Sequence, residues 1–205
     1  MLGPSAAGKG TQGRRLAAAF NLEYLSTGAL LREEMSRQSE LGEFARPILA
    51  RGGYLPDDLM CRMIDSWLAT HQGGWVLDGF PRSLPQLEWL DRKLAGLGQS
   101  LDAAVSIEVP AEQLLARILA RVECPACRWS GDRSQTDNGT CPACRAATRQ
   151  RADDTEENFR QRIVEFERLT QAVVARYAEM GILVRIDGTS CPDKVAERIL
   201  SHFNP

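Results

Sequence analysis

The stretch Gly3-Pro-Ser-Ala-Ala-Gly8-Lys9-Gly10-Thr11 decides the fold of this chain. Its small residues let backbone N–H groups curl around phosphate oxygens, and the helix expected to follow adds the partial positive charge of its N-terminus. Lys9 supplies a point charge for the β- and γ-phosphates of a nucleotide. A glycine-rich turn formed by chance is the alternative. The position between a strand and a helix favours the phosphate loop.

The composition is that of an ordinary globular protein. The 205 residues are 43% hydrophobic and 25% charged, with a formal net charge of -2, which excludes disordered and collagen-like chains. The lack of a strong basic charge argues against nucleic acid as a partner. No apolar run approaches the roughly 18 residues of a membrane-spanning helix. Residues 1–10 lack the apolar run of a signal peptide, so we expect a cytoplasmic protein.

Short apolar runs alternate with amphipathic windows, a pattern that predicts parallel βαβ units. The acidic run Asp153-Asp154-Thr155-Glu156-Glu157 is interpreted as complementing the dipole at the start of a helix. The predicted strands are 1–2, 22–25, 75–77, 103–109 and 182–186, and the predicted helices are 9–20, 28–51 with a break, 57–70, 84–97, 111–121, 155–179 and 192–203.

Four of the six cysteines form two Cys-Pro-Ala-Cys pairs, Cys124 with Cys127 and Cys141 with Cys144, separated by thirteen residues. Each pair suits a tight knuckle, and four thiolates close a zinc tetrahedron with no open position. Disulfides or free thiols are the alternatives, and a chain without an export signal favours metal. The segment around these cysteines has too little apolar content for a core of its own, so metal binding would stabilise it.

The phosphate loop and several later segments resemble the adenylate kinases, a family of nucleoside monophosphate kinases. Gly8-Lys-Gly-Thr-Gln12 is similar to the shifted loop of that family, in which Thr11 comes one residue later than in a general phosphate loop. The other matching segments are Ser26-Thr-Gly-Ala-Leu-Leu-Arg32, Asp78-Gly-Phe-Pro-Arg-Ser-Leu-Pro-Gln86, Arg117-Ile-Leu-Ala-Arg121, Arg151-Ala-Asp-Asp154 with Arg162, and Asp187-Gly-Thr189. The resemblance covers essentially the whole chain, and the cysteine segment is similar to the zinc-binding lid of many members.

The resemblance implies an α/β fold of the P-loop three-layer type, with a five-stranded parallel sheet in the order 2-3-1-4-5. The core would consist of residues 1–25, 56–116 and 152–205. A helical monophosphate-binding segment, residues 26–55, is called the flap. The zinc-ribbon-like insertion of residues 117–151 is called the lid.

The resemblance also implies the residues that bind two nucleotides. Arginine suits this role because it grips phosphate with two parallel hydrogen bonds and stays charged. The implied ATP-binding residues are Ala6, Ala7, Gly8, Lys9, Gly10, Thr11, Arg117 and Arg121. The implied AMP-binding residues are Thr27, Arg32, Gly53, Tyr54, Leu55, Gly79, Phe80, Pro81, Arg82, Gln86, Arg151 and Arg162. The implied catalytic residues are Lys9, Asp78, Arg82, Arg117, Arg151 and Arg162, with Asp78 organising water around Mg²⁺.

The implied function is the reaction ATP + AMP ⇌ 2 ADP in a monomer, with Mg²⁺ accompanying ATP and a structural Zn²⁺ in the lid. A kinase for another nucleoside monophosphate is one alternative, because few residues read the base. A catalytically weak nucleotide- or nucleic-acid-binding relative is another. The lid carries the basic and aromatic side chains of a nucleic-acid zinc ribbon, namely Arg128, Trp129, Arg133, Arg145 and Arg149.

Three departures from the family pattern bear on activity. Only Met1 and Leu2 precede Gly3, where the family has a fuller central strand. Ala29 stands in place of an aspartate expected near Mg²⁺. Ser5-Ala6 replaces a Pro-Gly pair, and Ala6 is strained if its position requires a positive φ.

Overall fold

The computed structural model describes residues 1–71 and 73–203. Gln72, Asn204 and Pro205 fall in the predicted core segments and lie outside the described residues. The strands are β1 (Glu23–Ser26), β2 (Trp75–Asp78), β3 (Ala104–Glu108), β4 (Arg121–Glu123), β5 (Ser130–Asp132) and β6 (Leu183–Asp187). The α-helices are α1 (Lys9–Phe20), α2 (Thr27–Ser36), α3 (Glu40–Ala50), α4 (Asp57–Leu68), α5 (Leu84–Gly96), α6 (Ala111–Ala120), α7 (Glu156–Glu165), α8 (Gln171–Glu179) and α9 (Pro192–Phe203).

The central sheet consists of two parallel strand pairs, β1 with β2 and β3 with β6, joined by the first two residues. The nitrogen of Met1 donates to the carbonyl of Leu77 at 2.6 Å, and that of Leu2 donates to the carbonyl of Val105 at 2.7 Å. The order across the sheet is therefore β1, β2, residues 1–2, β3 and β6, as predicted. Leu2 makes an isolated parallel bridge to Ser106 rather than part of a strand, so the predicted count of five full strands is not confirmed.

Alternate side chains of the strands face opposite helix layers. Val76 and Ile107 pack with α1, α6 and α9 in one apolar cluster. Leu77 packs with α4 and α5 in a second cluster, and Ala104 packs with α8 in a third. Burial on both faces is typical of parallel sheets, and the predicted three-layer α/β fold is confirmed. No helix within the described ranges is long and apolar enough to cross a membrane.

Most predicted helices are present, with differences where capping and backbone geometry intervene. The predictions over 9–20 and 192–203 match α1 and α9. The break predicted within 28–51 is confirmed, since α2 ends at Ser36 and Ser39 caps the start of α3 with its side-chain oxygen. The helix predicted over 155–179 contains a π-helical segment, Phe166–Thr170, which sequence periodicity does not reveal.

The lid is built from the short antiparallel pair β4–β5 and two similar cysteine knuckles. The backbone nitrogen of Arg128 donates to the carbonyl of Cys124, and that of Arg145 donates to the carbonyl of Cys141, both at 2.9 Å. Both arginines have left-handed φ angles, 64° and 65°. Among the described residues, none of 123–150 belongs to the three apolar clusters, as expected for a segment without its own core.

Candidate active site

The phosphate loop leads from the central sheet into α1 through residues with positive φ. Gly3 has a φ of 131°, and a Cβ there would lie 2.6 Å from the carbonyl oxygen of Ile107. Gly8 has a φ of 101° directly before α1. Ala6 adopts a φ of 66°, a conformation that costs an L-residue about 1 kcal/mol or more. The strain expected for Ala6 is therefore present.

The loop encloses the side chain of Lys9, whose Nζ donates to the carbonyl of Pro4 at 2.7 Å. Burial lowers the pKa of Lys9 to about 8, and the nearby charge of Asp78 only partly offsets this effect. Arginines of the same site lower the pKa further. The lysine is thus a partly buried cation at the cavity, whose charge Asp78 only partly balances, and a bound phosphate would supply further negative charge.

A cavity of about 870 Å³ lies against the phosphate loop and is walled by residues of the core, the flap and the lid. Asp78 faces it from the end of β2, as expected where parallel strands end. All six arginines implied by the resemblance line this cavity: Arg32, Arg82, Arg117, Arg121, Arg151 and Arg162. The structure therefore brings the predicted cations together around the predicted phosphate loop.

Carboxylates that follow Arg151 in sequence hold two of these arginines. Arg121 makes two parallel hydrogen bonds to Asp154, whose side chain is fully buried. Arg162 donates to Asp153. Burial raises the pKa of Asp153, but the charge and hydrogen bond of Arg162 lower it more, so the net pKa lies below its ordinary value. The predicted acidic helix start is present, since Thr155 caps α7 and Glu156 and Glu157 lie in its first turn, while the two aspartates just before the cap bind arginines.

Groups on the lid and on the loop after β6 hold two more arginines. Arg151 donates through Nε to Glu123 at 2.5 Å, and both side chains are largely buried. Arg117 donates to the carbonyl of Gly188 at 2.9 Å. The sequence interpretation missed Glu123, because a single glutamate before the first cysteine carries no motif.

Arg82 makes contacts through both its side chain and its backbone. Its Nε donates to the carbonyl of Gly79 at 2.7 Å, and its guanidinium lies 4.3 Å from the ring centroid of Tyr54. The side-chain oxygen of Gln86 accepts from its backbone nitrogen at 2.7 Å. Thr170, in the π-helical segment, donates to its carbonyl at 3.0 Å. The contacts with Gly79 and Tyr54 orient the guanidinium at the cavity wall, and the other two hold the backbone.

Several residues predicted to bind AMP do not line the main cavity. Thr27 is buried and its hydroxyl is directed to the carbonyls of Asp78 and Gly79, both at 3.2 Å. Leu55 and Phe80 belong to an apolar cluster. Gly79 and Pro81 line a small adjoining cavity of about 20 Å³ beside Arg82. By contrast, Gly53 and Tyr54 face the main cavity, as do Ala6, Ala7, Gly8, Gly10 and Thr11 of the phosphate loop.

Gln86 uses both ends of its buried amide within the protein. Its oxygen accepts from Arg82, and its nitrogen donates to Asp57 at 2.7 Å.

Asp78 has a partner that the sequence interpretation did not single out. The hydroxyl of Tyr24 donates to its Oδ2 at 2.7 Å, and the carboxylate residue is 7% exposed. Ala29 lines the same cavity, so the aspartate expected there is replaced by a methyl group. Mg²⁺ prefers oxygen ligands, and the carboxylate of Asp78 fits the role of holding water molecules bound to that ion.

The four lid cysteines form one cluster, in which all sulfur atoms lie within 4.8 Å of one another. The Sγ atoms of Cys124 and Cys144 are 3.4 Å apart, and those of Cys127 and Cys141 are 3.6 Å apart. Sulfurs placed tetrahedrally at the usual zinc distance would be about 3.8 Å apart. The cluster therefore fits a closed zinc site.

Phosphoryl transfer needs positioning and charge stabilisation more than covalent chemistry by the protein. A phosphate loop that shares one cavity with Lys9 and six arginines meets this need, and the fold and site define a P-loop phosphotransferase. The sequence model of the family described as "Adenylate kinase" matches residues 1–182. The chain belongs to the adenylate kinase family.

Individual relatives agree with this assignment. The chain is 40% identical over 198 residues to the protein named Adenylate kinase from Thermus thermophilus, covering 97% of this chain and 92% of that protein. It is 36% identical over 209 residues to the one from Clostridium novyi, with 99% and 96% covered. The resemblance stated from the sequence is confirmed, and the activity that this membership supports is phosphoryl transfer between ATP and AMP.

Proposed function

We propose that the chain catalyses reversible, Mg²⁺-dependent transfer of the γ-phosphoryl group of ATP to AMP, giving two ADP. The observation that carries this is the single cavity in which Lys9 and six arginines surround the phosphate loop. Two nucleotides that meet phosphate to phosphate bring many negative charges together. Fixed cations around that point stabilise the charge that is spread over the transferring group.

The ATP phosphates would lie on Ala6, Ala7, Gly8, Lys9, Gly10 and Thr11, where backbone N–H groups and the start of α1 face the anion. Arg117 and Arg121 face the same cavity from α6 and β4. Arg117 is oriented by its hydrogen bond to Gly188, and Arg121 by its hydrogen bonds to Asp154. Because a guanidinium has five N–H groups, each arginine keeps donors for phosphate. These two arginines would cover the phosphates from the lid side.

The AMP phosphate would bind Arg82 and Arg32. Burial, together with the neighbouring charge of Arg151, lowers the pKa of Arg32 to about 10, so an added phosphate would stabilise its charged form. The backbone of residues 53–55 would line the base pocket. Thr27 and Gln86, both predicted to bind AMP, would contact the adenine base, and that contact would require rearrangement of their present hydrogen bonds.

Arg151 and Arg162 would stabilise the group in transfer. Arg151 now pairs with Glu123, and Arg162 pairs with Asp153. Phosphate oxygens would replace these carboxylates as partners of the two arginines. The bond from the γ-phosphorus to the bridging oxygen of ATP breaks as an oxygen of the AMP phosphate attacks in line. Mg²⁺ bound to ATP would neutralise part of the phosphate charge, with Asp78 holding its water ligands.

The zinc cluster would stabilise the lid and take no part in the reaction, since four thiolates leave no open position. The flap of residues 26–55 and the lid of residues 117–151 would close over the nucleotides as separate units attached to the core. We further propose a cytoplasmic monomer that does not bind nucleic acid. Against nucleic-acid binding, the lid residue Trp129 lines the nucleotide cavity.

A coupled assay with AMP, GMP, CMP and UMP as acceptors tests the proposal. We expect AMP to be strongly preferred and turnover to require Mg²⁺. A preference for CMP or UMP would instead support a kinase for another nucleoside monophosphate. ATP binding without turnover on any acceptor would show a catalytically weak relative.

A further inference from the structure

Tyr24 and Asp78 lie on neighbouring parallel strands and face the same side of the sheet. Ser26 lies directly opposite Asp78 in the parallel pair β1–β2. Tyr24 is two residues before Ser26 on β1. A side chain two residues earlier on a strand shares that face but starts about 6.6 Å further back. The tyrosine covers this distance along the strand, and its hydroxyl reaches Oδ2 of Asp78 at 2.7 Å.

Two glycines of α1 make room for this ring. A Cβ at Gly13 would lie 2.8 Å from Cε2 of Tyr24, which is closer than atoms can approach. A Cβ at Gly10 would lie 3.5 Å from the tyrosine hydroxyl and 3.4 Å from Oδ2 of Asp78. The guanidinium of Arg14 lies 5.4 Å from the ring centroid. The ring is therefore confined between β1 and the first two turns of α1.

A hydroxyl partner differs chemically from a cationic one. A tyrosine hydroxyl fixes one oxygen of Asp78 by a hydrogen bond without adding a further positive charge to that of the nearby Lys9. Burial and the charge of Asp78 raise the pKa of Tyr24 far above neutrality. The hydroxyl therefore remains a donor throughout the physiological range.

We propose that Tyr24 is a positioning residue for Asp78, whose carboxylate it holds in the orientation that serves magnesium-bound ATP. The inference rests on the role proposed above for Asp78. Tyr24 itself acts through that carboxylate.

The test compares Tyr24→Phe with Tyr177→Phe, a matched control. The hydroxyl of Tyr177 is buried away from the cavity and has no hydrogen-bond partner within the described residues. Equilibrium ATP binding is measured by calorimetry with Mg²⁺ and with EDTA. We expect Tyr24→Phe to lower the preference for magnesium-bound ATP by about three- to tenfold. Binding in EDTA should stay within about twofold, and Tyr177→Phe should change neither value.

A double-mutant cycle with Asp78→Asn decides whether the tyrosine acts through the aspartate. We expect Tyr24→Phe to have no further effect on the magnesium preference in the Asp78→Asn background. An equal effect in both backgrounds, or none in the wild-type background, would overturn the positioning role while leaving the role of Asp78 intact. Unchanged magnesium preference in Asp78→Asn alone would overturn both roles.

Discussion

Arg128 and Glu33 form an ion pair at the cavity wall, with 3.0 Å between Nη2 and Oε2. Arg128 belongs to the first cysteine knuckle of the lid, and Glu33 belongs to α2 of the flap. The side chains are 69% and 31% exposed, so water and salt screen their attraction. The contact therefore links the two segments that cover the nucleotide cavity, at a modest free energy.

Arg128→Ala should reduce kcat/KM for AMP by less than about fivefold at low salt, because exposed ion pairs contribute at most about 1 kcal/mol. The difference should vanish near 1 M NaCl, where the screening length is about 3 Å. Arg145→Ala is the control, since Arg145 has the same left-handed backbone in the second knuckle. Equal effects of the two substitutions would assign the loss to the knuckle backbone.

Ala6→Gly should raise the free energy of unfolding by about 1 kcal/mol, because glycine adopts the observed φ of 66° without strain. Ala7→Gly, at a buried neighbour, should instead lower it, since a packed methyl group is lost. Urea denaturation measures both changes. Destabilisation by Ala6→Gly would show that the loop conformation carries no relievable strain.

Lys9→Met should abolish phosphoryl transfer while the protein remains folded. Because burial lowers the pKa of Lys9 to about 8, the free protein loses this charge as the pH rises through that value. ATP binding to the wild type should therefore weaken above pH 8, by up to about tenfold per pH unit. Binding to Lys9→Met should lack this dependence. Near-normal turnover of the mutant would contradict the assignment of the loop.

Arg82→Ala should raise the KM for AMP by about ten- to a hundredfold and lower turnover, because charge-assisted hydrogen bonds to phosphate are lost. ATP binding should change far less. Steady-state kinetics with each nucleotide varied in turn separates the two effects. Arg92→Ala, in the following helix α5 and absent from the cavity wall among the described residues, is the control. An unchanged dependence on AMP would leave Arg82 with a structural role alone.

Purified protein should contain one zinc ion per chain, bound by Cys124, Cys127, Cys141 and Cys144. Cys124→Ser should lower the melting temperature of the lid, with only a modest loss of turnover at temperatures where the mutant stays folded, since Arg117, Arg121 and Arg151 remain. Cys61→Ser, in the core, should retain the zinc. Four oxidised thiols without zinc would mean disulfides, and total loss of turnover in the folded mutant would link the metal to the reaction.

The elements that the sequence predicts well are those set by local chemistry. The bounds of α1 follow from the phosphate loop before it and the left-handed Asn21 after it. Strands β2 and β3 follow from runs that are buried along most of their length. The cations of the site could be named because the motifs of the family fix their spacing, and the structure places all six arginines on one cavity.

The features that could not be predicted depend on how distant segments pack. Glu123 and Asp153 carry no local signal that they hold Arg151 and Arg162. In the sequence, Tyr24 looks like an ordinary strand residue. Its contact with Asp78 is seen only once β1 and β2 are paired. The central strand was expected to be short, but only the hydrogen bonds of residues 1–2 to both neighbours show that this bridge joins the sheet.

The absence of described lid residues 123–150 from the apolar clusters has a thermodynamic consequence. Burial of apolar surface gives the core a large heat capacity of unfolding and a curved dependence of stability on temperature. A unit held by metal–thiolate bonds depends instead on free zinc and on the protons that compete for sulfur. Calorimetry should then resolve two cooperative transitions. A chelator should shift the transition of the lid and leave that of the core in place, so no single free energy describes the unfolding of this chain.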